Sequence, residues 1–238
     1  MPIQHVRLTF VKTDVTNWHG LSSIFKAAKA KHGKIDHVFA NAGIGSKATY
    51  LDEQLDENGD LLEPNHLTYD VNLKGVVNTC ALAIHYMRRQ EAEGSIVITA
   101  SASSFQRFRT VDYTTTKHAV LGFMRGIVPL LQGNIPIRVN CIAPSWTATG
   151  LVPADLIEQV AGIGTQTPAV VAKSVAVLMA DAQRDGQLIY SVQGKYIEAE
   201  GTLLEAAEEI VGDANEDLVF AKLLQARSVF GSAKQDGS

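Results

Sequence analysis

The stretch Ser95–Leu131, SIVITASASSFQRFRTVDYTTTKHAVLGFMRGIVPLL, contains two different hydrophobic periodicities. Its first part, Ser95 to Thr99, is a short β-branched run without a helical stripe, which predicts a buried strand. From about Asp112 to Leu131, apolar residues recur at helical spacing, which predicts a helix. A buried strand followed by a long helix is typical of a parallel sheet that helices cover.

The same alternation continues on both sides of this stretch. Further strands are predicted at Arg7 to Lys12, Ile35 to Ala40, Ile137 to Ala143 and Leu188 to Val192. Further helices are predicted around Leu21 to Ala28, with Asn17 as its cap and Gly33 as its end, around Val76 to Met87, and from Pro168 to Ala180. The predicted fold class is therefore α/β, a doubly wound parallel sheet.

Composition limits the class of protein before any motif is considered. The chain has 238 residues, 46% of them apolar and 19% charged, with a net charge of −4, which predicts one globular domain. No basic stripe suits a nucleic acid, no apolar run suits a membrane, and the first residues do not resemble a signal peptide. Cys80 and Cys141 lie in apolar stretches, and no histidine pairs at a ligand spacing, so we expect a cytoplasmic protein with two reduced, buried thiols and no metal.

Small and polar residues follow three of the predicted strands. They are Thr13 to Thr16, Asn41 to Gly45 and Pro144 to Thr149. Ligands of open α/β sheets bind beyond the carboxyl ends of the strands, so these segments are candidate ligand contacts. Each could equally be an ordinary turn, since turns use the same residue types.

Gly43, Gly45 and Ala48 match the spacing G-x-G-x-x-G/A of dinucleotide-binding turns. That fingerprint must open a helix that packs on the sheet. Residues 46–63 show no apolar helical stripe and are rich in acidic residues, so we interpret the match as a coincidence.

Three residues form the most specific candidate site: Ser101, Tyr113 and Lys117. Tyr113 and Lys117 are four residues apart, so they lie one turn apart on the same helix face. A nearby ammonium favours the phenolate and would lower the pKa of the tyrosine toward neutrality. Ser101 follows a strand and could donate a hydrogen bond to a substrate oxygen. The alternative is a half-exposed aromatic ring beside a solvated lysine.

With these residues in view, the chain resembles the short-chain dehydrogenase/reductase family. The resemblance rests on motifs that occur in family order: Asp14-Val15-Thr16, Asn41-Ala42-Gly43, Asp70 to Gly75, Ile96 to Ser101, Tyr113-x-x-x-Lys117, Ile137 to Pro144 and Gly186 to Tyr190. The family's Rossmann-like fold is implied for the whole chain, with residues 199–238 as a helical extension. The segment Tyr190 to Glu200 is also similar to fungal members related to prostaglandin 15-dehydrogenase.

The resemblance implies a role for each matched position. Tyr113 would be the acid and base, Lys117 would lower its pKa and hold the nicotinamide ribose, Ser101 would orient the carbonyl, and Asn72 would support a water that relays protons. The cofactor NAD or NADP would be bound by the following residues: Asp14, Val15, Asn41, Ala42, Gly43, Tyr113, Lys117, Pro144, Thr147 and Thr149. From the residues alone, Asn72 could instead be an amide satisfied by backbone, and Thr149 could be a helix cap before Leu151.

The chain departs from the family pattern in three places. The family's first strand, its glycine-rich turn and the following helix and strand have no counterpart before Asp14, so the first βαβ unit is expected to be missing. The residue that selects NAD or NADP belongs to that unit. Ser145 stands where the family usually has glycine, and the spacing from Ser101 to Tyr113 is one residue short, so Ser103 or Ser104 could compete for the serine role.

Two functions follow from the sequence. The first is an oxidoreductase that transfers hydride between a nicotinamide cofactor and an alcohol or carbonyl substrate. The alternative is a non-catalytic protein of this fold, an inactive isoform or an interaction scaffold.

The resemblance implies a homodimer or homotetramer that pairs the helices around Pro64 to Gln90 and Asp112 to Leu131. Trp146 and Leu151 to Pro153 suggest an apolar wall of the substrate pocket.

Overall fold

The computed structural model describes residues 8–91, 93–152, 154–159, 164–212, 216–217 and 219–223, and a five-stranded sheet forms its centre. The strands are β1 (His37–Ala40), β2 (Gly94–Thr99), β3 (Ile137–Pro144), β4 (Leu188–Val192) and β5 (Lys195–Glu198). They lie in the order β1-β2-β3-β4-β5, with β1 to β4 parallel and β5 antiparallel to β4. The predicted α/β class with a mainly parallel sheet is confirmed.

Strand β5 was not predicted. Its four residues are all exposed, so it lacks the apolar alternation by which a strand is recognised in a sequence. It follows β4 through the two residues Gln193 and Gly194, whose φ angles are 49° and 78°. Two consecutive positive φ angles are what a tight hairpin turn requires.

The strand predicted at Arg7 to Lys12 is wrong for residues 8–12, which form no strand; Arg7 lies outside the described residues. Leu8 and Phe10 are 89% and 85% exposed. A β-branched run becomes a strand only when a neighbour accepts and donates its backbone hydrogen bonds, and β1 is the outermost strand of the described sheet on this side.

Seven helices lie along the described chain. They are α1 (Trp18–His32), α2 (Leu67–Tyr69), α3 (Gly75–Met87), α4 (Val111–Leu131), α5 (Ala154–Gln159), α6 (Pro168–Ala180) and α7 (Glu200–Val211). The predicted ends of α1 are confirmed: the Asn17 side chain accepts a hydrogen bond from the backbone N–H of Gly20 at 3.0 Å, and Gly33 has a φ of 76°. The segment predicted to lack a helix after Gly45 has none before Leu67.

A π-helical turn, Asp70–Lys74, joins α2 to α3. It inserts extra backbone into an otherwise regular helix, and such turns often occur at functional sites. Asn72 lies within it and is fully buried. The turn therefore sets the position of a side chain that the sequence analysis singled out.

Helices cover both faces of the sheet. On one face, Val175 and Leu178 of α6 pack against Val97, Ile142 and Ile189 of three adjacent strands. Side chains alternate along a strand, so the buried neighbours of Val97 in β2 point to the other face. Helix α3 packs against β1 and β2, and α4 packs against β3. The carboxyl ends of the parallel strands remain open as a common edge.

The chain divides into two compact units, one up to Glu200 and one from Gly201 onward. The second contains most of α7.

Among the described helices, none has the length and apolar character needed to cross a membrane. Cys80 and Cys141 are free and buried, as predicted, and burial raises the pKa of both thiols.

Candidate active site

A cleft of about 650 Å³ opens beyond the carboxyl ends of β1, β2 and β3. The candidate residues Ser101, Tyr113 and Lys117 all line it. The predicted cofactor contacts that share this cleft are Asn41, Gly43, Pro144, Thr147 and Thr149. Residues from four separate parts of the sequence thus meet where open α/β sheets bind their ligands.

Tyr113, in the first turn of α4, lines the cleft together with Ser101, and the Ser101 side chain lowers the pKa of the phenol. The Lys117 Nζ lies 5.6 Å from the centre of the Tyr113 ring and donates a hydrogen bond to the carbonyl oxygen of Thr99 at 2.7 Å. Lys117 is only 3% exposed, so the alternative of a solvated lysine is wrong. The phenol, the hydroxyl and the ammonium therefore lie together at the cleft.

Burial is the main influence on the pKa values of Tyr113 and Lys117. Burial raises the pKa of Tyr113, and the Ser101 side chain acts in the opposite direction. Burial lowers the pKa of Lys117 to about 8. The sequence predicted that Lys117 would lower the pKa of the tyrosine; in the structure the largest effect on this phenol is burial, which favours its neutral form.

Asn72 holds the loop that follows β1. Its Oδ1 accepts a hydrogen bond from the backbone N–H of Ile44 at 2.8 Å, and its Nδ2 donates to the carbonyl of Ile44 at 2.9 Å. A Cβ on Gly43 would lie 3.4 Å from the Asn72 Oδ1 and 3.8 Å from the Lys117 Nζ. The backbone therefore satisfies the Asn72 amide, and the missing side chain at Gly43 keeps the space beside Lys117 open.

Asp112, which the sequence analysis missed, fixes the same loop from the other side. This buried carboxylate accepts hydrogen bonds from the Ser46 hydroxyl and from the backbone N–H groups of Lys47, at 2.8 Å, and Ala48, at 3.1 Å. Burial alone would raise its pKa, but these hydrogen bonds hold the pKa of Asp112 far below its usual range. An acidic residue in the first turn of a helix is common, so only its position beside Tyr113 could have marked it.

Ser103 and Ser104, which could compete with Ser101 for the serine role, have different surroundings. Ser104 donates a hydrogen bond to the carbonyl of Lys117 at 2.7 Å and accepts one from the backbone N–H of Ser101 at 3.1 Å. It therefore fixes backbone and does not line the cleft. Ser103 lines the cleft but is buried. Of the three serines, only Ser101 lowers the pKa of the Tyr113 phenol.

The segment after β3 is held by local hydrogen bonds. The Thr147 hydroxyl donates to the carbonyl of Ser145 at 2.8 Å and accepts from the Gln166 side chain at 3.3 Å. The Thr149 Oγ1 accepts from the backbone N–H of Leu151 at 3.3 Å, in a turn that opens no helix at Leu151. Gln166 is buried and was not predicted, because nothing near it in the sequence marks it as a contact of this segment.

Three predicted cofactor contacts lie elsewhere. Val15 and Ala42 line a second cavity, of about 310 Å³, beside β1. Asp14 lines neither cavity; its carboxylate is exposed and accepts hydrogen bonds from the backbone and hydroxyl of Thr16, which lower its pKa. Pro153, expected in the apolar wall, lies outside the described residues, whereas Trp146, Leu151 and Val152 line the main cleft.

Comparison with known proteins gives a consistent result. The family model for short chain dehydrogenases matches residues 3–160. The chain is 48% identical over 233 residues to the short-chain dehydrogenase/reductase ascJ of Acremonium egyptiacum, covering 94% of this chain and 78% of that protein. It is 35% identical over 182 residues to prx4 of Penicillium rubens, covering 76% of this chain and 54% of that relative, about half its length.

Solved structures share the fold. A short-chain type dehydrogenase/reductase from Mycobacterium marinum has a TM-score of 0.66 and 26% identity, covering 77% of this chain and 74% of that one. ElxO with NADP bound has a TM-score of 0.64 and 21% identity, covering 76% and 75%.

Proposed function

The chain belongs to the short-chain dehydrogenase/reductase family, and from that premise we propose that it is an NAD- or NADP-dependent oxidoreductase that interconverts an alcohol and a carbonyl compound. One observation carries the proposal: the half-buried Tyr113 and Ser101 line a cleft at the carboxyl ends of the strands, and the buried Lys117 ammonium lies 5.6 Å from the centre of the Tyr113 ring. A scaffold without chemistry has no need to bury a lysine beside a phenol at such an edge.

The protein's own residues manage the proton. A bound nicotinamide cofactor supplies or accepts the hydride at the carbon of the substrate. In the direction of reduction, Tyr113 gives its proton to the substrate oxygen, and in oxidation it takes that proton back. Ser101 donates a hydrogen bond to the same oxygen, and the Lys117 ammonium stabilises the phenolate that reduction leaves on Tyr113.

The cleft fits the nicotinamide end of such a cofactor. Gly43 leaves room beside Lys117 for a ribose, and Pro144, Thr147 and Thr149 offer a wall with hydrogen-bonding groups for a carboxamide. ElxO, which shares the fold, binds NADP. Every assay uses saturating cofactor.

The test replaces the phenol and keeps the ring. We expect Tyr113→Phe to lower kcat for ketone reduction by about 10²- to 10⁴-fold, because the proton donor is lost, while cofactor binding measured by fluorescence titration changes little. Tyr86→Phe is the matched control, since the Tyr86 ring stacks on Phe25 and neither residue lines the main cleft. Equal kcat values for Tyr113→Phe and the unmodified chain would remove Tyr113 from the reaction. Absence of turnover in the unmodified chain would favour the non-catalytic alternative.

Assembly as a homo-oligomer is part of the proposal. Apolar side chains are exposed on the segments that the family resemblance assigns to subunit pairing, at Leu67, Val111 and Leu130. Light scattering after gel filtration tests this directly: a dimer or tetramer supports it, and a monomer at micromolar concentration contradicts it. Two buried, reduced thiols are consistent with a cytoplasmic location.

A further inference from the structure

The residues that line the main cleft are of two kinds. The polar ones include Asn41 and Ser46, which follow β1, Thr99, which ends β2, and Thr147 and Thr149, which follow β3. The large apolar ones come from the segment after β3 and from α5 and α6: Trp146, Leu151, Val152, Leu156, Val171 and Val175. A polar cofactor suits the first group, so the second group remains for the substrate.

We propose that the substrate is a neutral, apolar alcohol or ketone whose apolar part packs against Trp146 and Phe108 while its oxygen meets Tyr113 and Ser101. This inference rests on the proposed function, which supplies the reaction at that oxygen. It adds the chemical class of the substrate, which a proton-transfer site alone does not define.

Two aromatic side chains belong to the apolar lining of the cleft. The rings of Phe108 and Trp146 lie with their centres 6.0 Å apart and their planes tilted by 52°. Phe108 and Leu151 are each 44% exposed, so this part of the lining presents apolar surface to water. Large apolar side chains gathered around a concave site mark a surface that an apolar ligand covers.

The lack of charged side chains in the described lining of the cleft, apart from Lys117, disfavours an anionic substrate. Among the described residues that line the cleft, Lys117 alone carries a charge, and its Nζ is buried and hydrogen-bonded to the carbonyl of Thr99. Arg107 and Arg109 flank Phe108 in the sequence, but neither lines the cleft. A carboxylate placed against Trp146 and Phe108 would lose its hydration without gaining a counter-charge, which is unfavourable.

The two tryptophans of the chain make a direct binding assay possible. Trp18 lies at the start of α1, is 46% exposed and lines neither cavity, so Trp18→Phe leaves Trp146 as the single fluorescent reporter. The ligands are a cyclohexanone that carries a phenyl ring opposite its carbonyl, and the same cyclohexanone with a carboxylate in that place. The Trp146→Phe chain, in which Trp18 reports, is the control for collisional quenching and should show no saturable signal.

We expect saturable quenching by the phenyl ketone, with a Kd at least about tenfold lower than for the carboxylate. In the same background, Phe108→Ala should weaken phenyl-ketone binding about tenfold and leave the carboxylate unchanged, whereas Phe108→Leu should recover most of the affinity, because it restores apolar contact. Equal affinities for the two ligands, or no saturable binding of either, would overturn the inference.

Turnover of the same two ketones separates this inference from the proposed function. Faster turnover of the phenyl ketone, judged by kcat/KM, supports both. Turnover of both ketones with equal kcat/KM overturns the substrate class and leaves the oxidoreductase proposal intact. Selective, saturable binding of the phenyl ketone without any turnover supports the apolar site and contradicts the proposed reaction.

Discussion

Replacing Lys117 by methionine removes a charge that the fold buries and keeps a side chain of similar length and shape. Lys117 is 3% exposed, and burial lowers its pKa from an ordinary 10.5 to about 8. In the unfolded chain the lysine keeps its ordinary pKa, so between these two values the unfolded state holds more protons than the folded state. The free energy of unfolding must therefore rise with pH across this window.

The magnitude follows from the size of the shift. Each pKa unit is worth about 1.4 kcal/mol, so the change from 10.5 to about 8 corresponds to about 3 kcal/mol in total. About 2 kcal/mol of this appears between pH 7 and pH 9.5, because the folded lysine loses its proton first. At pH 7 both states are protonated and the cost of burying the charge is fully present. Lys117→Met should therefore be more stable than the unmodified chain at pH 7 and lose that advantage at high pH.

Other groups titrate in the same window, so the two chains must be compared. Cys80 and Cys141 keep their protons when folded, since burial raises the pKa of both, and unfolded thiols lose theirs above about pH 8.5. These thiols lower stability as pH rises, opposite to Lys117, but they are present in both chains and cancel in the difference. The assay is urea unfolding followed by circular dichroism at several pH values from 7 to 9.5. The quantity compared is the difference in free energy of unfolding between Lys117→Met and the unmodified chain. If this difference changes by less than about 0.5 kcal/mol from pH 7 to pH 9.5, the claim that Lys117 is buried with its charge at pH 7 is refuted.

Three further predictions concern the site and the first helix. For alcohol oxidation, log kcat/KM should rise by about one per pH unit up to about pH 8, because the fraction of Tyr113 present as phenolate increases. Above about pH 8 the profile should level off, because Lys117 then loses its proton. A profile that is flat from pH 6 to pH 8 would contradict this. Asp112→Asn should lower the free energy of unfolding by about 2–4 kcal/mol, because an amide cannot replace both acceptor oxygens; urea midpoints measure it, and an unchanged midpoint argues against these hydrogen bonds. Asn17→Ala should cost about 1 kcal/mol through the lost cap of α1, whereas Asn17→Ser should not.

The sequence was sufficient for elements that carry their own signal. Pro168 at a first turn and the glycine after His32 gave helix ends that the structure reproduces. The run Arg7 to Lys12 has the same composition as a buried strand. Whether such a run pairs into a sheet depends on a neighbouring strand, and the sequence of the run itself carries no information about that strand. Strand β5 depends on a hairpin turn and on β4, and its exposed residues leave no apolar pattern to recognise. Pairing partners, not propensity, decided both cases.

The site was predictable only where side chains themselves take part. Spacing placed Tyr113 and Lys117 on one helix face, and the structure brings Ser101 to them. Spacing could not show that Lys117 is buried and Tyr113 half-buried, so it predicted a lowered pKa for a tyrosine whose pKa burial raises. Gln166 was missed because its contacts with the segment after β3 depend on how distant parts of the chain fold together.

The loop after β1 shows why a glycine pattern alone is a poor guide to a nucleotide site. Gly43, Gly45 and Ala48 have the spacing of a phosphate-binding turn, yet no helix follows them. The loop is held instead by side chains from outside it. Asn72 bonds both backbone groups of Ile44, and Asp112 accepts from the backbone at residues 47 and 48. Asn72 lies in the π-helical turn before α3, and Asp112 lies on α4, the helix that carries Lys117. The loop and the proton-transfer group are therefore positioned by the same rigid elements.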